Sequence, residues 1–253
     1  MFKHAIVRRP SQSMVNGLTA ASLGKPDFDL ACQQHDDYIA ALQECGLEVE
    51  VLEAVEEHPD SCFVEDVALI TPKCAVLTRP GAPTRQGEVA FMEPVLSKYY
   101  DHLERIVAPA TIEAGDIMMV GDHYYIGLSD RTNAEGAAQM IKILEGHGLH
   151  GSVVEMSEML HLKTGLSYLE NNQLLVCGEF TSKSEFAPFT RTEIPLADSY
   201  SANSVWVNDT VLVPAGFSDT TKQVSAMGYR VREVEMSEFQ KLDGGLSCLS
   251  LRF

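Results

Sequence analysis

The chain has 253 residues, 45% of them apolar, enough to bury a substantial core without a partner. A formal net charge of −17 argues against nucleic acid and anionic membrane surfaces as partners and suits a cationic small molecule. No stretch approaches the roughly 18 apolar residues of a membrane span, and "MFKHAIVRRP" does not read as a signal peptide, so a cytoplasmic protein is expected.

In chain order, the segment from Asp27 to Cys45 reads as a helix stopped by Gly46, and "LEVEVLEA" as the strand that follows. "EDVALITPKCAVLTRPG" and "GDIMMVGDHYYIGLSD" each give two short apolar runs around a tight polar turn, which predicts a β-hairpin. "NAEGAAQMIKILEGHG" sets Ala137, Met140, Ile141 and Leu144 at helical spacing with glycines to end it, and "GSVVEMS" is the next strand. A third hairpin, "ANSVWVNDTVLVPAGFSD", precedes the strand "YRVREVEMS". The final "GGLSCLSLRF" reads as an apolar, strand-like run holding Cys248, teamed with the N-terminal "KHAIVRRP".

Val154 to Leu169 and Val234 to Leu249 match at ten of sixteen positions with a constant shift of 80 residues. In that alignment Tyr168 stands opposite Cys248 and His161 opposite Lys241. The repeating unit is hairpin, helix, strand, and such periods of about 40 to 50 residues signal a radial or stacked architecture. Five units can be counted if the two chain ends join and close a ring. One domain spanning 1–253 is expected, with the first strand of every unit near a central axis. The loops before those strands then bring Glu65, Asp66, Glu113, Asp116, His161 and Cys248 to one centre.

A cysteine, a histidine and several carboxylates at one mouth form a nucleophile, an acid/base and a cation-binding set. Each residue alone has an ordinary structural reading. Cys248 would be a small buried hydrophobe, His161 a core or capping residue, Glu113 and Asp116 turn residues, and Arg79, Arg85 and Arg131 surface arginines. Placement at corresponding positions of repeated units favours a site. The six cysteines are widely spread without a CxxC pair, so neither disulfides nor a metal is expected.

The stretches "VNGLT", "FVED", "IEAGDIMMVGDHYYIGLSDRTNAEG", "HLKTGLSYL" and "DGGLSCLSLRF" resemble those of bacterial dimethylarginine dimethylaminohydrolases, members of the guanidine-modifying amidinotransferase superfamily. The resemblance covers nearly the whole chain. It implies an α/β fold, a five-bladed pseudosymmetric α/β propeller built of hairpin-helix-strand repeats. It implies hydrolysis of asymmetric dimethylarginine or monomethylarginine to citrulline, with no cofactor. By the same resemblance Cys248 is the nucleophile, His161 the acid/base and Glu113 its carboxylate partner. The guanidinium would meet Asp66 with Glu65 close by, the α-amine Asp60 and the Leu18 carbonyl, and the carboxylate Arg85 and Arg131. Members often carry two glycines after the catalytic glutamate; here Ala114 requires an ordinary backbone angle.

The alternatives are an arginine deiminase or another guanidine enzyme, a non-catalytic binding protein on the same propeller, and a structural protein with an inert cysteine. Deiminases usually have an arginine where "FVED" has Glu65, and an inserted helical region that this length excludes. An activated Cys248 is expected to label faster than the other five cysteines. Free hairpin edges and apolar blade faces are compatible with a homodimer.

Overall fold

The strands pair into five sheets of three, and the sequence pattern explains the arrangement. The computed structural model describes all 253 residues. Strand β1 (His4–Arg8) leads through helix α1 (Phe28–Glu44) to β2 (Glu48–Leu52), which pairs parallel to β1. The second blade is β3 (Ala68–Ile70), β4 (Ala75–Leu77), α2 (Val89–Leu96) and β5 (Leu103–Arg105). The third is β6 (Ile117–Val120), β7 (His123–Leu128), α3 (Ala134–Gly146) and β8 (His150–Glu155). The fourth is β9 (Leu166–Tyr168), β10 (Gln173–Val176) and β11 (Thr190–Glu193). The fifth is β12 (Val205–Val207), β13 (Thr210–Pro214), α4 (Ser218–Ala226) and β14 (Arg230–Val234). After the short α5 (Ser237–Gln240), β15 (Leu251–Arg252) returns to β1 in antiparallel register, Ile6 opposite Leu251, and closes the ring through the two chain ends.

In every blade the first strand is antiparallel to the second and the second parallel to the third, as a hairpin followed by a crossover requires. The fourth blade departs from the expected unit. Its crossover holds only 3₁₀ turns, Gly178–Ser182 and Ser184–Phe186, where the others carry an α-helix. The two helices read from sequence begin where their N-caps dictate: Asp27 accepts from Leu30 N at 3.0 Å, and Asn133 from Gly136 N at 2.8 Å.

Five apolar clusters fill the five clefts between neighbouring blades. Ala5 and Val7 point into the cleft shared with the fifth blade, while Ile6 points into the cleft shared with the second. The inner strands therefore read as continuous apolar runs, because both faces are covered. The third strands, such as β2 and β11, are partly exposed. The five first strands surround a central cavity of about 140 Å³, to which each contributes residues, as the repeat implied. No helix is long and apolar enough to cross a membrane.

Candidate active site

Short 3₁₀ turns precede the first strands, and the candidate residues lie on them or at their N-terminal ends. Successive residues on such a turn point about 120° apart, so Glu65 and Asp66, on the turn Val64–Val67, diverge. Asp66 Oδ2 accepts from Arg85 Nη1 at 2.5 Å and its Oδ1 from Gly115 N at 3.1 Å. Glu65 instead accepts from Lys163 Nζ at 2.6 Å and from Ser247 Oγ at 2.8 Å. The expected pair of adjacent carboxylates at one cation thus separates into one pocket carboxylate and one already neutralised.

His161 Nε2 lies 2.8 Å from Glu113 Oε2, and both residues are buried. Glu113 Oε1 accepts from Ala82 N at 3.2 Å and stands 3.7 Å from Arg131 Nη1. Burial works against the charged imidazole, but Asp66, Asp116 and Glu113 outweigh it and hold its pKa at about 9. Asp116 does not face the pocket. It accepts from Ser129 Oγ at 2.7 Å, Thr132 Oγ1 at 2.6 Å and Leu162 N at 2.9 Å, tying the Arg131 turn to the His161 loop. Ala114 takes no positive φ, so alanine suffices there. Gly115 is the position that must lack a side chain, because a Cβ would lie 2.7 Å from His161 Nδ1 and 2.8 Å from Asp66 Oδ1.

Cys248 occupies a 3₁₀ turn, Ser247–Leu249, just before β15, and not the strand expected from its apolar neighbours. Gly245 N donates to its sulfur at 3.4 Å. Burial, with Glu65 and Asp66 adding to it, pushes the thiol up to about 12, against the smaller opposing effects of Gly245 and Lys163. These effects favour the protonated thiol. Asn203 braces its turn: Oδ1 accepts from Ser247 N at 3.0 Å, while Nδ2 donates to Ser247 Oγ at 3.1 Å and to Lys163 O at 2.8 Å. Sequence reasoning passed over Asn203, Lys163 and Gly115, for none carries a local signal beyond its place in a turn.

Cys248, His161, Glu113, Asp66, Asp60, Arg85, Arg131 and Leu18 line one pocket of about 40 Å³. Of the residues expected at the centre, Asp116 and Glu65 fall outside it, Glu65 facing another cavity of about 340 Å³. At the far end Asp60 Oδ1 accepts from Leu18 N at 2.9 Å. Arg85 is more committed than expected: it donates to Glu88 through Nε at 3.0 Å and Nη2 at 2.8 Å, and to Asp66 and two backbone carbonyls. One Nη1 hydrogen remains, so Arg85 chiefly holds Asp66 in place, whereas Arg131 is partly exposed. Asp66, Glu113 and His161 bring ligand atoms within 4.8 Å of one another, a geometry open to a cation. Hydrogen bonds to Arg85, Gly115 and Ala82 and between His161 and Glu113 already account for the trio.

Residues 54–210 match the arginine deiminase family. The chain is 57% identical, over the full length of both, to N(G),N(G)-dimethylarginine dimethylaminohydrolase of Pseudomonas aeruginosa. It is 32% identical to the enzyme of that name from Streptomyces coelicolor, across 99% of this chain and 96% of the relative. A structure of the Pseudomonas aeruginosa protein, a cysteine-to-serine variant complexed with citrulline, superposes over all of both chains with a TM-score of 0.99 at 56% identity. The N-terminal domain of ArgZ, a cyanobacterial arginine dihydrolase, shares the fold with a TM-score of 0.89 at 20% identity, covering 100% of this chain and 97% of that one. The chain belongs to the arginine deiminase family and, within it, to the dimethylarginine dimethylaminohydrolases.

Proposed function

We infer that the chain, acting over 1–253 as one catalytic unit, hydrolyses asymmetric dimethylarginine or monomethylarginine to citrulline and dimethylamine or methylamine. The observation that carries this reading is a buried thiol and a carboxylate-paired histidine on one pocket whose other lining groups include Asp66, Asp60, Arg85 and Arg131. That order of charges complements a guanidinium at one end and an amino acid at the other. Two structures 56% identical to this chain support it, the Pseudomonas aeruginosa variant complexed with citrulline and a dimethylarginine dimethylaminohydrolase adduct with S-methyl-L-thiocitrulline.

In this reading Asp66 holds the guanidinium, Asp60 and the Leu18 carbonyl take the α-amine, and Arg131, with the remaining Nη1 hydrogen of Arg85, takes the carboxylate. The bound cation also activates the nucleophile. A positive charge about 4 Å from the sulfur stabilises a thiolate by about 4 kcal/mol at an effective dielectric of 20, or about three pKa units. That offsets most of the rise imposed by burial and lets the thiol release its proton to water. The thiolate forms a C–S bond to the guanidinium carbon, and the C–N bond breaks as imidazolium His161 protonates the departing amine. Neutral His161 then takes a proton from water, the hydroxide adds to the S-alkylthiouronium carbon, and as the C–S bond breaks the adduct's hydroxyl proton passes to the leaving sulfur, which releases citrulline and the Cys248 thiol. Glu113 keeps His161 oriented and charged. A cytoplasmic location and a homodimeric state belong to the same reading.

The test is release of citrulline and amine from asymmetric dimethylarginine beside plain arginine, with Cys248→Ser as control. Citrulline with dimethylamine, absent in the variant, is expected. Ammonia from arginine alone would move the chain to the deiminases, and no product from either would return Cys248 to an inert core residue.

A further inference from the structure

The pocket of about 40 Å³ and the cavity of about 340 Å³ meet at Cys248 and His161, with Leu160 and Asp243 also shared. Their linings differ in kind. The small pocket concentrates the charged groups that fit an amino acid and the unsubstituted side of a guanidinium. The larger chamber has Ala20, Ala21, Leu23, Met159 and Leu160 as apolar lining, and three carboxylates, Glu65, Glu158 and Asp243, against two cations, Lys163 and the His161 imidazolium. Asp243 holds one wall in position, accepting from Ala20 N at 2.6 Å.

An N-alkyl group placed against Asp66 would take the place of an N–H that this carboxylate, already bound by Arg85 Nη1 and Gly115 N, can still accept. The alkyl-bearing nitrogen therefore belongs on the side of the chamber, where His161 can still reach it. Timing makes the same demand. The first product departs while the rest of the substrate is tethered to Cys248 and fills the small pocket, so the amine needs a second way out and the hydrolytic water a second way in. An acidic lining favours an alkylammonium leaving group. On the measure by which one water needs about 10–15 Å³, a volume of about 340 Å³ leaves room for more than two methyl groups.

We propose that this chamber is the leaving-amine site and that it admits Nω-alkyl substituents larger than methyl, extending the substrates to Nω-alkylated arginines as a class. The proposal rests on the activity inferred above. The chemistry is unchanged: the same C–N bond breaks, the departing alkylamine takes the His161 proton, and water supplies the citrulline oxygen.

The experiment compares kcat/KM for citrulline release from Nω-methyl, Nω-ethyl, Nω-propyl and Nω-butyl-L-arginine, in the wild type and in Ala21→Trp. The wild type is expected to stay within about tenfold across the series, whereas a pocket fitted to methyl loses about 10- to 200-fold for a misfitting methylene. Ala21→Trp is expected to lower the butyl substrate at least ~10-fold more than the methyl one, by occupying the chamber. Turnover of the methyl substrate with a collapse at ethyl in the wild type would overturn the chamber assignment while leaving the activity intact. Equal losses on all four substrates in Ala21→Trp would also overturn it. Silence on every substrate, methyl included, would overturn the activity and the chamber with it.

Discussion

The joint from β8 into β9 and the joint from β14 into β15 begin alike and fold differently. Their third strands start 80 residues apart, at His150 and Arg230, but the first strands that follow start 85 apart, at Leu166 and Leu251. Five extra residues make room for α5 and shift everything after it. Leu166–Tyr168 is a strand, whereas the matching Leu246, Ser247 and Cys248 lie at a 3₁₀ turn. Ser167 Oγ donates to Ala202 O, but Ser247 Oγ donates to Glu65. By position in the fold Cys248 corresponds to Lys163, not Tyr168. The two turns converge on one carboxylate, since Lys163 and Ser247 bind the two oxygens of Glu65. Nearly identical short sequences leave the choice of strand or turn to the surrounding chain.

Changes that disarm the histidine joint break this pairing most severely. Glu113→Gln removes a carboxylate that orients His161 and raises its pKa, and a drop in kcat of about 100- to 1000-fold is expected, in the range of a lost general acid. The sign of the pH effect follows from the role. In the inferred mechanism the acid must be imidazolium, present below a pKa of about 9 in the free protein and lost as pH rises through it, so kcat/KM falls on the alkaline side. Glu113→Gln should carry that limb to lower pH, and a pH profile of kcat/KM with an unmoved limb would remove Glu113 from the mechanism. Gly115→Ala comes next, at about 100-fold, because its methyl displaces His161 and Asp66 together. Ala114→Gly, one residue away with an ordinary backbone angle, should cost at least ~10-fold less than Gly115→Ala.

Much of this frame was legible from periodicity and turn residues. Five units, the hairpins, the two capped helices and ring closure through the chain ends follow from apolar runs that must be covered on both faces. The candidate residues followed from the family resemblance, and all but Glu65 share the small pocket. Three features escaped for physical reasons. The divergence of Glu65 from Asp66 depends on the pitch of a 3₁₀ turn, which side-chain chemistry does not reveal. Commitment of Arg85 to Asp66 and Glu88 is a tertiary choice among several acceptors. The constant shift of 80 concealed the five-residue slip because the matched leucines, glycine and serine fit both structures.

Smaller effects sharpen the comparison. Asn203→Ala should lower kcat about tenfold with little change in KM and destabilise the fold by about 1–3 kcal/mol, by leaving buried Ser247 N without its acceptor. Recovery of kcat in Asn203→Asp, which keeps that acceptor, would mark positioning of the cysteine turn; equal loss in both variants would point to the Nδ2 bonds instead. The smallest change is the most direct test of the frame. Tyr168→Cys makes residues 166–169 read Leu-Ser-Cys-Leu, the same as 246–249. Tyr168 is half-buried beside Phe189 at a ring separation of 5.7 Å, so truncation should lower Tm by a few degrees. Citrulline release should stay within about twofold of wild type, because the new thiol lies on a strand away from His161 and Asp66. In a Cys248→Ser background Tyr168→Cys should restore nothing. Any recovered turnover there would mean that the shared sequence itself, and not the five-residue slip that sets Cys248 beside the histidine, makes the nucleophile.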